Sequence, residues 1–451
     1  MKKSILLQLF CIISLANAYA QQVSVRSFGA KGNGIADDTK AIAAAIRSSA
    51  TNKKILYFPE GIYLVRNLDI TVSFTGVAGK TRIKKLNDAT NPDIYTFCNI
   101  RNKENISVNS IIFDGSVLGT DIKPLLGAIP LFVYGARNIV VTNCFFVNSP
   151  SCGLRIESSE NISITKSKVE NLNGAFGDGV YIENSKDVKL EDLIAHNYTR
   201  IGFVVEKNSR TVQINKCKAS NGHSASILHG GTEFNAGFWA ELAADVRINE
   251  CLSENNKHYG YVLTSGVEEA LMAKSKIASF NITNSKSINN PVGYRVSSSG
   301  NPVDIKVVNC KATSANQGFV AFARDKRDKF TFSNCFAEIV EPAKESFNDA
   351  GYMWESEINN ANEYPIFIYQ NCFTSFKGRI PVEKLYSRET NVADLSTYSG
   401  GNANILIDKM KNNTPSGKPV IKAIKGNPKF EIVNTIPDLN YLNKKERVII
   451  R

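Results

Sequence analysis

The sequence predicts an all-β fold: a single parallel β-helix, right-handed by the general bias of parallel crossovers, with a helix capping its N-terminal end. Three observations carry this. From Asn138 onward a short pattern recurs (V-V-T-N-C, I-T-K-S, L-E-D-L, I-N-K-C and so on), ending at Cys144, Ser167, Leu193, Cys217, Cys251, Ser285, Cys310, Cys335 and Cys372, 23 to 37 residues apart. A second pattern, glycine followed by alternating apolar residues, begins at Gly153, Gly179, Gly202, Gly237, Gly260, Gly293, Gly318 and Gly351. No helix-length period separates them. Repeats of this size built only from period-2 strands and Asn, Ser and Gly turns stack into a solenoid whose rungs pair about 4.8 Å apart.

Residues 1–20 read as an export signal and not as structure. Lys2 and Lys3 precede the apolar run Ile5 to Leu15, and Ala18-Tyr19-Ala20 supplies a small-x-small cleavage site. The run is too short to span a bilayer, and no later stretch is long and apolar enough to do so. The expected location is secreted or periplasmic. The β-helix domain is expected over 22–380. Its first element is a helix from Lys40 to Ser48, capped by Asp37, Asp38 or Thr39 and covering the strand edges that the first rung would expose. In the repeats, the cysteines alternate with Ser and Leu at one rung position, which marks a buried ladder of small residues more than a disulfide framework. Residues 381–451 lack a clear rung and read as a closing segment.

The 451 residues carry a net charge of +12, and +10 once Lys2 and Lys3 are removed. With 43% hydrophobic and 21% charged residues the chain is globular. Nucleotide-binding glycine motifs and H-E-x-x-H are absent, and four histidines without a CxxC pair argue against zinc. The excess of cations suits a polyanionic partner. In an exported protein that is an acidic polysaccharide and not nucleic acid, although a generally basic soluble surface explains the charge as well. The sequence requires no cofactor and does not set the oligomeric state.

Alternation turns the second and fourth residues after each repeat glycine outward. The second-position ladder contains Arg155, Tyr181, Trp239 and Arg295, and the fourth-position ladder contains Glu157, Glu183, Glu206 and Glu241. Stacked carboxylates raise one another's pKa unless a cation intervenes, and a raised carboxyl beside an ionised one can serve as general acid. Adjacent rungs suit the ~5–5.5 Å separation of a retaining glycosidase pair and alternate rungs the ~6.5–9.5 Å inverting one. A Ca2+ ion among the carboxylates, or a solvated ladder neutralised by lysines, are the competing readings. Two lengthened connections, Ser220–Ala236 with His223, His229 and Glu233, and Ser265–Ser279, fall on neighbouring rungs and would wall a groove over these residues. Tyr181 and Trp239 are expected as exposed sugar-stacking surfaces.

The N-terminal segments Phe28-Gly29-Ala30-Lys31-Gly32-Asn33-Gly34, Asp37-Asp38-Thr39, Tyr57-Phe58-Pro59-Glu60-Gly61 and Phe113-Asp114-Gly115 resemble the opening of the pectate lyase-like superfamily. The resemblance implies the same right-handed β-helix and spans lyases, glycoside hydrolases, epimerases and phage tail proteins. In its polygalacturonase-like members an N-T-D-G segment carries a catalytic aspartate. Phe176-Gly177-Asp178-Gly179 matches it and nominates Asp178. Where those members carry an Asp pair and a Gly-His-Gly, this chain has Arg200-Ile201 and Asn235-Ala236-Gly237. Their R-I-K motif is weakly matched by Arg295-Val296-Ser297. The loss of acids and gain of Arg200 favours a lyase, with Arg200 neutralising a uronate and His223, His229, His258, Lys257 or Tyr181 moving the proton. The expected function is cleavage of an acidic polysaccharide by lyase or hydrolase chemistry. A non-catalytic glycan-binding or structural β-helix is the alternative. The expected centre is Asp178 with Arg200, and Glu183, Glu206, Glu241 and His258 complete the catalytic candidates.

Overall fold

The computed structural model describes residues 22–86, 96–116, 129–174, 176–223, 235–266, 277–299, 301–340, 350–359, 362–377, 393–396, 401–412, 418–421, 423, 427–437 and 447–451. Residues 1–20, expected to be an export signal, lie outside them. The chain winds as a right-handed parallel β-helix with three faces. Sixteen described strands, from Gln22–Ser24 to Arg447–Ile450, pair in parallel to form the first face. The strands that begin after the Cys-position turns form the second, and the glycine-led strands the third. The long strands Lys286–Ser299 and Lys311–Ala323 turn the corner between the last two, with register shifts around Asn290.

Each sequence pattern has a physical cause. The residue before each Cys-type position has positive φ: 53° at Asn143, 52° at Asn284, 54° at Asn309, 53° at Asn334 and 49° at Asn371. Asparagine tolerates this left-handed conformation because its short amide bonds locally. Here the amides also bond between rungs, Asn371 to Asn334 and Asn334 to Asn309 at 3.1 Å each. The repeat glycines are required by close approach. A Cβ on Gly179 would lie 2.1 Å from the carbonyl oxygen of Gly202, and one on Gly237 would lie 2.2 Å from Ser253 Oγ. The first residue after each glycine points inward. Phe203, Phe238, Tyr261, Tyr294, Phe319 and Tyr352 form one column of parallel rings with centroids 4.6–5.1 Å apart. Rung spacing thus places aromatic rings at stacking distance.

The cysteine ladder is as read from the sequence. All eight cysteines in the described residues are buried free thiols, and burial pushes Cys144 and Cys372 up to about 12. The helix Thr39–Asn52 buries Ile42, Ala45, Ile46 and Ser49, an i, i+3, i+4, i+7 face, over the first rung. Its capping differs in detail from expectation. Asp38 occupies the cap position, but its carboxylate accepts the Lys31 and Gly32 N–H groups at 2.6 and 3.0 Å. Asp37 instead accepts the Thr39 N–H at 3.0 Å and pairs with Arg66 at 2.9 Å. The expected boundary at 380 does not interrupt the first face: Ile366–Gln370 pairs with Asn404–Asp408, then Lys429–Val433, then Arg447–Ile450.

Candidate functional site

The register places both outward ladders where alternation put them. Arg155, Tyr181, Val204, Trp239, Val262, Arg295, Val320 and Met353 stand side by side across successive third-face strands. Glu157, Glu183 and Glu206 form the parallel row. Outward does not mean exposed, however. Tyr181, Val204, Val262, Val320 and Met353 are buried and join Phe132, Ile201 and Tyr259 in a second apolar cluster, with Trp239 half-buried against it. The expectation that Tyr181 offers an open stacking face is therefore corrected. At 8% exposure its ring is enclosed, with the Arg155 guanidinium 4.9 Å from its centre and that of Arg200 6.0 Å away. Its O–H donates to Glu206 Oε2 at 2.5 Å.

Asp178 is also enclosed. It has no exposed surface. Arg200 grips it through Nε at 2.8 Å and through a second nitrogen at 2.5 Å, and the Ile201 N–H adds a third bond at 3.2 Å. Burial works against the charge on Arg200, but the neighbouring carboxylate outweighs burial and raises its pKa. This pair ties two rungs together. Both Asp178 oxygens are taken by this bidentate contact, while the Arg200 side chain keeps 18% exposure, so the expected centre at Asp178 and Arg200 is found as a closed ion pair. The glutamate row is likewise not a stack of bare charges. Arg155 bridges Glu157 at 2.9 Å and Glu183 at 2.6 Å, and Lys207 takes the other Glu183 oxygen at 2.6 Å.

Glu206 differs from these. Burial raises its pKa, Asp178 and Glu241 add to the rise, and the Tyr181 O–H and Arg200 only partly offset it. Burial, reinforced by Glu206, pushes the Tyr181 phenol up as well, so Tyr181 stays a donor. Beside Glu206, across the pairing of Val205 with Ala240, stands Glu241, whose Oε2 accepts the Trp239 indole N–H at 3.0 Å.

Glu241 also lines an open cleft of about 440 Å3 with Trp239, His258, Tyr259, Arg295 and Arg324. An adjoining lobe of about 230 Å3 shares His258, Tyr259, Arg295 and Phe322 and extends to Glu355. The His258 ring lies flat on Tyr259, with centroids 3.9 Å apart. Arg295 donates to Tyr259 Oη at 2.6 Å. His223 lies apart, 3.3 Å from Asn173, its pKa lowered by burial and then by Lys257. His229, Glu233 and most of both long connections lie outside the described residues. Among the described residues no three His, Cys, Asp or Glu side chains are placed to hold a metal ion.

Sequence reasoning missed Tyr259, Phe322 and Arg324. Phe322 was visible at a fourth position after glycine. Tyr259 was hidden because alternation breaks at Gly260: Tyr259 and Val262, three residues apart, share the outer cluster. Arg324 follows a strand end, where periodicity carries no information.

A family model described as rhamnogalacturonase A/epimerase, pectate lyase-like, matches residues 22–253. The preneck appendage protein of Bacillus phage PZA is 25% identical over 57% of this chain and 33% of its own length. A probable glucan endo-1,3-beta-glucosidase of Arthroderma benhamiae is 25% identical over 56% of this chain and 28% of its own. The chain thus spans a third or less of these relatives. Among solved structures, the A-module of the Azotobacter vinelandii mannuronan C-5 epimerase AlgE4 superposes with a TM-score of 0.56 at 16% identity, over 79% of this chain and 98% of that one. At that identity the likeness establishes the fold alone. The family and its neighbours are carbohydrate-active β-helix proteins, with phage proteins and an adhesin among the relatives. The matched segment covers more than half of the sequence, and the chain belongs to the rhamnogalacturonase A/epimerase, pectate lyase-like family.

Proposed function

We propose that the protein is an exported enzyme that cleaves an acidic polysaccharide in the cleft beginning at Trp239 and Glu241. The observation that carries this reading is the pairing of unlike carboxyls on neighbouring rungs. Glu206 is held toward its protonated form by burial, and Glu241 is tethered by the Trp239 N–H at the cleft wall. Their strands are about 4.8 Å apart, close to the ~5–5.5 Å of a retaining glycosidase pair. In this scheme the Tyr181 O–H occupies Glu206 Oε2, so the acid proton sits on Oε1 and passes to the departing glycosidic oxygen. Glu241 attacks the anomeric carbon as the glycosidic C–O bond breaks, and water, deprotonated by Glu206, then hydrolyses the glycosyl ester and frees Glu241. His258 and Arg295, across the cleft, bind the sugar and its acid group.

A non-catalytic glycan-binding role is the second reading. It is favoured by the phage appendage relative and by how fully Asp178 and Glu183 are already paired. The test is incubation with pectic, alginate and glycosaminoglycan polymers. New reducing ends without ultraviolet absorbance support the hydrolase, and unsaturated product shifts the reading to a lyase. Binding without either product leaves the glycan-binding module.

A further inference from the structure

The far wall of the cleft carries a cation that the reaction scheme does not use. Arg324 sits three rungs from Glu241, about 14 Å along the axis at rung spacing, too far to touch the same sugar. Its backbone is fixed by a tight anchor. The Arg324 N–H donates to Ser298 Oγ at 2.8 Å and to Asp328 Oδ2 at 3.0 Å. Asp328, 1% exposed, also accepts the Asp325 and Val303 N–H groups at 2.8 and 3.1 Å. The side chain lies over Phe322, 5.2 Å from the ring centre. Arg324 is thus rigid at its base and faces the cleft. Its carboxylate contact is different in kind. Glu357 meets Nε at 3.2 Å, and the two side chains are 46% and 55% exposed. A solvent-exposed pair of this sort gives little net stability and is readily exchanged. Guanidinium geometry suits an incoming carboxylate as well as the resident one.

We propose that Arg324 recognises a carboxylate on a sugar unit distal to the reacting bond, and that Glu357 occupies Arg324 in the empty protein as a displaceable stand-in for it. This rests on the reading that the cleft binds an acidic glycan. It adds that acidity is sensed at a second position, so a chain with only one acid group near the reacting bond binds less well.

The test is calorimetric titration with tetragalacturonate, tetramannuronate and a hyaluronan tetrasaccharide, each beside its carboxyl-reduced counterpart. For the acidic ligand that binds, Arg324→Gln should weaken affinity about tenfold and Arg324→Lys less, as expected for one lost charge-assisted contact. Glu357→Gln should tighten it about threefold, and in the Arg324→Gln background should have no effect. The carboxyl-reduced ligand should be indifferent to all three. Both sites are exposed, and matching melting temperatures confirm that the variants are folded. If Arg324→Gln and Glu357→Gln leave the acidic ligand within twofold of the parent protein, the inference is overturned while the functional reading stands. If the parent protein binds no acidic ligand, the functional reading falls and takes this inference with it.

Discussion

Asp178 and Glu206 are carboxylic acids on neighbouring rungs of the same face, and they have opposite surroundings. Asp178 is buried against a guanidinium that takes both of its oxygens. Glu206 is partly buried against a phenol, with a second carboxylate alongside. The first arrangement pairs a charge with its counter-charge and ties two rungs together. The second leaves a carboxyl short of positive partners, and its proton affinity rises. On this scaffold the identity of the neighbour one rung away decides whether an acid is neutralised in place or keeps a raised proton affinity.

That contrast can be broken by exchanging what each acid is asked to do. Glu206→Gln should lower turnover on a cleaved polymer by about 10²–10⁴-fold, the usual scale of general acid catalysis, with an unchanged unfolding midpoint. Equal turnover in this variant would remove Glu206 from the chemistry. Asp178→Asn should do the reverse. Leaving Arg200 buried without its carboxylate should cost about 3 kcal/mol of stability in denaturant titration, while the protein still folded keeps its kcat.

The pH profile sharpens the comparison. Because the pKa of Glu206 is raised above 4.5, activity that needs its proton is full at low pH and is lost as pH rises through the raised value. The same sign holds for stability, which falls across that window because the folded state keeps a proton the unfolded chain releases. Tyr181→Phe removes a donor that favours the ionised form. The alkaline limb should therefore move to higher pH, with a loss of about 1–2 kcal/mol in stability from the vacated contact. A limb that stays in place would detach Tyr181 from Glu206. The smallest effect is expected at Lys207→Ala, where a half-exposed lysine leaves Glu183 still held by Arg155. A change of at most about 1 kcal/mol should appear in melting, and none in the pH limb.

The fold was legible because the repeat forces like residues into columns. A left-handed residue, most often asparagine, before each Cys position, glycine before the stacked inward aromatics and small residues inside the turn all follow from rung spacing. The last rungs, Ile405-x-Ile407 with Met410 and Phe430-x-Ile432 with Thr435, were not read because they lack the cysteine that drew attention to the others. The site was half legible. The outward columns and the Glu206–Glu241 pairing came from alternation. What could not be read was which counter-charge each acid meets. Arg155 reaching two glutamates and Arg200 closing on Asp178 depend on side-chain reach between rungs, which no spacing in the sequence encodes. The match of Asp178 to a catalytic segment could not show that Arg200 closes on both of its oxygens in this chain.

The column of buried thiols gives the molecule a built-in record of its own opening. Cys144, Cys217, Cys251, Cys310, Cys335 and Cys372 are distributed along the axis, and an alkylating reagent can reach each only after its own rung has separated. In a solenoid every rung leans only on its neighbours, so fraying can start at either end and travel inward. The order in which these cysteines become labelled under mild denaturant would therefore report which end of the coil loosens first, with no probe introduced.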